Sequence, residues 1–211
     1  MNYLQLVNGV LDRLREPQTV TVRTMDDPVV NVVKHFVNDA KRHVESAHSW
    51  NATRNVWQFG TVEGRAGYIL DETRNGARIT EVSRDDAIRH MEQWDLRAVI
   101  GSRQGSPWRW AWEGTDDAGN IMLRFDPIPD GVYGISVLGH RNLPDLAQDT
   151  DELRLPDQPV IYYALALAAR ERGEVGGQTA QELFNMAQQY ISDAIALDAR
   201  LSPTEITWAV V

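Results

Sequence analysis

Within residues 27–50 the apolar positions Val29, Val33, Phe36, Val37, Ala40, Val44 and Ala47 recur every three or four residues. That spacing predicts an amphipathic α-helix with one apolar face. Asp26 or Asp27 can cap its first N–H groups, Pro28 fits a first turn that needs no donor, and no further Gly or Pro interrupts the segment. The helix should run for about 33 Å. A helix in water depends on tertiary packing of such a face, so other parts of the chain must cover it. The two helices near the C-terminus are the expected cover.

The rest of the pattern sorts into helical ends and an alternating middle. Leu4, Val7, Val10 or Leu11 and Leu14 predict a short helix over 2–15, closed by Glu16-Pro17. Period-two segments at 54–59, 68–71 and 77–82 predict three strands. Ser83 and Asp86 ahead of Ala87, Ile88 and Met91 predict a capped helix over about 84–96. Strands at 108–114, 120–126 and 133–141, joined by the turns DDAGN and PIPDG, predict an antiparallel meander. Residues 142–155 are acidic and irregular. Helices over 158–172, stopped by Gly173, and over 179–201 form an αα-hairpin, the second with Leu183, Ala187, Tyr190, Ile191, Ala194 and Leu197 on one stripe. Ser202-Pro203 breaks that helix, and Ile206, Trp208 and Val210 then alternate with Thr207, Ala209 and Val211, which favours an extended tail. The expected architecture is α+β: a helical bundle from 1–53 and 142–201, an inserted antiparallel β-rich region over 54–141, and an extended tail at 202–211.

Composition narrows the function. At 43% hydrophobic residues over 211 positions the chain can bury a substantial core. It has no cysteine, which removes disulfides, thiolate metal sites and thiol nucleophiles. The start is amphipathic, unlike a signal peptide, and reads as mature structure. The longest uncharged apolar run, 160–169, is half of the roughly 20 residues needed to cross a bilayer. A net charge of −9 opposes tight binding to nucleic acid. His35, Asp39 and His43 lie four apart on one helix, in a row about 12 Å long that cannot converge on one ion. No nucleophile elbow, zinc-protease motif, phosphate loop or dinucleotide fingerprint is present. Catalytic, cofactor and metal sites are therefore not expected. Trp108, Trp110 and Trp112 share one face of a strand and could stack on sugars or unpaired bases. Packing on a neighbouring layer is the commoner fate of such a face, so at least two of the rings should be buried. The acidic run 145–152 lacks a calcium-loop pattern and reads as solvated surface.

Several stretches carry a resemblance along almost the whole chain: MNYLQLVNGVLDRLRE, HFVNDAKRHVESAHSWN, GTDDAGNIMLRFDPIPDGVYGISVLG, PDQPVIYYALALAARERGE and AQELFNMAQQYISDAIALDAR. In these segments and in the order of its elements the chain resembles the head-to-tail adaptor (connector) proteins of short-tailed bacteriophages. The resemblance implies a structural virion protein without enzymatic activity, assembled in the host cytoplasm away from membranes. It implies a ring of twelve beneath the portal protein, surfaces for the tail nozzle or fibres, and transient non-specific contact with genomic DNA in a channel. An acidic chain suits such a channel, because negative walls do not hold sliding DNA. The free chain is expected to be largely monomeric and to form its ring on the portal. The tail residues Ile206, Thr207, Trp208, Val210 and Val211 are the expected portal-binding element, adding a strand to an exposed sheet edge. The competing reading is a carbohydrate-binding or peptidoglycan-hydrolysing tail component that uses the Trp108/Trp110/Trp112 row.

Overall fold

A computed structural model describes residues 1–23, 27–73, 76–86, 90–99, 103–173 and 178–201. Helices and mainly antiparallel sheets make an α+β fold. The chain divides into two compact units, Met1–Ala52 with Pro144–Val211, and Thr53–Leu143.

The first unit is helical. Helix α1 (Tyr3–Arg13) starts in a capping box: the Gln5 N–H donates to Asn2 Oδ1 at 2.8 Å and the Asn2 N–H to Gln5 Oε1 at 3.0 Å. Helix α2 (Pro28–Ala47) is capped by Asp27, which accepts from the N–H groups of Val29 and Val30. Its buried face is Val30, Val33, Val37, Ala40, Lys41 and Val44. The stripe is rotated from the expected one, with Val29 and Phe36 half-buried and Ala47 exposed. Lys41 is tolerated inside because Glu45, one turn on, holds its ammonium at 3.1 Å. Helix α4 (Asp157–Glu171) packs against α1, α2 and α5 (Gln178–Ala199), so it is buried on several sides, from Val160 and Ile161 to Ala168 and Ala169. Gly173, at φ +60, ends it in the left-handed conformation a glycine adopts without strain.

The α5 stripe differs from expectation at its end. Ala187, Ile191 and Ala194 are buried, but Leu197 is 61% exposed. The reason is length: α5 has 22 residues against 15 in α4, so its last turn, beyond Ala194, runs past the helix that covers it.

Among its described residues the second unit holds three sheets. One is β1 (Arg54–Gly60), β9 (Gly134–Arg141) and β3 (Ala77–Arg84), in the order β1-β9-β3. Another is β2 (Gly67–Ile69), β7 (Ile121–Asp126), β6 (Arg109–Thr115) and β4 (Glu92–Gln93), and β5 (Gln104–Gly105) pairs with β8 (Ile128–Pro129). The first two sheets share one core of Tyr68, Leu70, Trp110, Leu123 and Phe125 with Val82, Ile135 and Val137. Gly139 lets β9 sit centrally, since a Cβ there would meet the Arg78 carbonyl oxygen at 2.6 Å.

Two sequence expectations fail here. The helix over 84–96 is absent from the described residues of that span: β3 runs through Arg84, Asp85-Asp86 turn, and the nearest described helix is α3 (Leu96–Val99). Of the two expected capping groups, Ser83 donates its hydroxyl to the Ser136 carbonyl of β9 at 3.4 Å and Asp86 pairs with Arg84, while Asp85 between them accepts from the Ser136 hydroxyl at 2.8 Å and donates its N–H to the Gly134 carbonyl. Met91 is drawn into the sheet core rather than onto a helix face, its N–H donating to the Val82 carbonyl at 2.8 Å. Residues 87–89 lie outside the described residues. The meander is also absent, because β2 occupies the free edge of β7 and β9 pairs instead between β1 and β3.

Of the tryptophan row, Trp110 alone is buried, at 4% exposure, while Trp108 is 47% and Trp112 37% exposed. The expectation of at least two buried rings is not met: Trp108 precedes β6 and the pairing shifts between Trp112 and Gly114, so the alternation breaks at both ends. Replacing Trp110 with Ala should cost about 3–5 kcal/mol in a urea titration of the full chain, and replacing Trp112 well under half of that.

Candidate functional site

The acidic stretch returning to the bundle is a set of internal fastenings. Asp149 accepts from the Val22 N–H at 2.7 Å and the Thr21 hydroxyl at 2.8 Å. Asp151 accepts from the N–H groups of Ala147 and Gln148 at 2.7 Å, while its carbonyl receives the Tyr3 N–H at 2.8 Å. The Val22 N–H, followed by the Thr21 hydroxyl, holds the Asp149 carboxyl below the usual range, and the Gln148 and Ala147 N–H groups do the same for Asp151. Asn38 of α2 exchanges two hydrogen bonds with the backbone of Leu146, at 2.9 and 3.0 Å. Arg42 pairs with Asp145. Burial, and then Asp145, push the Tyr3 phenol up to about 12, and its hydroxyl donates to the Lys34 carbonyl at 3.0 Å. The expectation of a merely solvated surface at 145–152 is thus corrected.

Three surface features remain open in the described residues. On the helical unit a groove of about 320 Å³ is walled by Leu14, Val29, Val32, Phe36 and Ala168, with Glu171 and Arg172 at its rim. On the β unit a cleft of about 580 Å³ lies along β1 and β2, lined by Trp57, Phe59 and Tyr68. Elsewhere on that unit the Arg109 guanidinium lies 4.4 Å from the ring of Trp94 and 4.2 Å from that of Trp108, and pairs with Asp126. None of the three gathers an acid pair, a nucleophile with a base, or metal ligands.

The family model of the SU10 adaptor protein matches residues 1–207. The chain belongs to the SU10 adaptor protein family. Comparison with curated proteins gives no match. The adaptor is thus a structural component of a bacteriophage particle, as the resemblance implied.

The residues singled out in the sequence fall apart accordingly. In the adaptor, Asp39 pairs with Arg42, and His43 stacks on Tyr163 with ring centroids 4.1 Å apart. No group of three potential metal ligands occurs among the described residues, and no described helix is long and apolar enough to cross a membrane. The three tryptophans do not form a platform, since Trp110 is in the core. Ile206, Thr207, Trp208, Val210 and Val211 lie outside the described residues. The groove was partly visible in the sequence, but Val29 and Phe36 read as core because a rotation of a few tens of degrees leaves the period unchanged. Trp94 carried no pattern, since its partners Arg109 and Trp108 are remote in sequence.

The fastenings of Asp149 give the adaptor a pH dependence with a definite sign. A carboxyl whose folded pKa is depressed contributes stability that is present above its unfolded value and lost as pH falls through the folded one. Asp149→Ala should therefore melt below the wild type at neutral pH, and the two melting curves should converge as pH is lowered past the ordinary carboxylate range. Thermal melts of both proteins across that range check this.

Proposed function

We propose that this adaptor joins the capsid to the tail by assembling as a ring of twelve beneath the portal protein, where it receives the tail nozzle or fibres and lines part of the DNA channel. Assembly takes place in the host cytoplasm, without a membrane and without catalysis. The observation that carries this reading is the family match over residues 1–207. The net charge of −9 supports the channel role, since it disfavours retention of DNA passing transiently along the wall. The same charge opposes ring closure by the free chain, so the ring forms on the portal and the isolated adaptor sediments largely as a monomer.

The portal-binding element in this reading is the tail 202–211. Pro203 separates it from α5, and Ile206 and Trp208 would anchor an added strand whose other members are Thr207, Val210 and Val211. Burial of each anchor contributes roughly 1.5–3 kcal/mol before ordering costs, and twelve tails on one ring reinforce one another through effective concentration. Truncation after Leu201 tests this. The shortened adaptor should melt at the wild-type temperature and fail to co-sediment with portal. A melting point lower by several degrees with portal binding intact would contradict it.

A further inference from the structure

The helical unit carries an apolar groove at one end and an apolar ridge at the other. The groove of Leu14, Val29, Val32, Phe36 and Ala168 lies beside the first turns of α2. The ridge is Leu197 and Leu201, four residues apart, 61% and 75% exposed. A turn continues the helical path beyond α5, with the Arg200 N–H donating to the Leu197 carbonyl at 3.2 Å and the Leu201 N–H to that of Asp198 at 3.0 Å. The two exposed leucines therefore lie about one turn apart at the end of α5. We infer that the Leu197/Leu201 ridge of one copy seats in the Val29/Val32/Phe36 groove of the next. This deepens the ring reading and rests on it.

The ridge and the groove are too far apart to meet within one copy. Asp198 is held beside the far end of α2, where it accepts from the Asn51 N–H at 3.1 Å. Val32 is nineteen residues before Asn51 in the sequence, so the groove lies roughly 25–30 Å from the ridge along the helix. A ridge and a groove on opposite ends of one body also form the asymmetric pair that repeats head to tail and closes into a ring when the rotation allows.

Charge fits the same occupant. Glu171 stands at the groove's rim and Arg200 beside the ridge, both exposed, and neither has an ion pair among the described residues. Seating the ridge brings the two together. An exposed pair adds little to affinity, but it fixes which way the neighbour docks.

Because the chain has no cysteine, introduced thiols report the contact directly. Val32 is half-buried in the groove wall and Leu201 is exposed, and circular dichroism verifies that Val32→Cys and Leu201→Cys fold. Mild oxidation of the two single variants mixed at high concentration, alone and with portal, should give a disulfide dimer. Each variant alone should give little, and the V32C/L201C chain should give a ladder of multimers, since its own two thiols are too far apart to join. In that background E171R should lower the yield several-fold, and E171R with R200E should restore it. A ring on the portal seen by negative-stain microscopy without any V32C–L201C product would overturn this contact and leave the adaptor reading standing. Single variants that cross-link as readily as the mixture would overturn it as well. A ladder formed by chains that do not bind portal would uphold the contact and count against the ring reading alone.

Discussion

Everything in the helical unit depends on covering the apolar face of α2. That face, from Val30 to Val44, is too long for α1 to bury alone, and its main partner α4 begins only at Asp157. The chain must therefore leave after residue 52 and return after residue 143, and the part between needs a core of its own. It builds one from two sheets around Tyr68, Leu123, Phe125 and Ile135, with β9, the last strand before the return, paired between two strands made much earlier. Long-range pairing of this sort is what an inserted unit requires, because the segment that ends it must also be tied to the segment that began it.

The return is secured by polar groups rather than by apolar packing alone. Asn38 on α2 grips the backbone at Leu146, Asp149 satisfies the Val22 N–H, and Asp151 orders its own turn while its carbonyl meets the first turn of α1. A backbone crossing a bundle outside regular structure needs such partners for its donors and acceptors. The acidity of the chain thus has two sources: carboxylates that hold the fold, and carboxylates left to solvent. In the proposed channel role, the second set would disfavour retention of DNA passing along the wall.

Legibility in the sequence followed the range of the interactions. The start of α2, the glycine stop after α4 and the helical hairpin were readable because a cap, a left-handed glycine and a 3.6-residue period act within a few positions of the chain. The helix expected over 84–96 failed because Ser83, Asp85 and Met91 are held by β9 and the sheet core, some fifty residues away in sequence for Ser136. Leu197 read as core because periodicity says nothing about where the covering helix stops. The tryptophan row obeyed alternation only at Trp110, since a register shift lies just beyond Trp112. The acidic run looked inert because hydrogen bonds from distant N–H groups leave no trace in local pattern. The open surfaces were the least legible part, being defined by what the fold leaves uncovered.

An adaptor is defined by where it sits and in how many copies. Cryo-electron microscopy of the full-length chain mixed with its portal protein tests both most directly. The predicted result is one added layer of twelve copies on the tail side of the portal, coaxial with it and enclosing an acidic channel. Portal particles with no added layer, at concentrations where both proteins are folded, would contradict it.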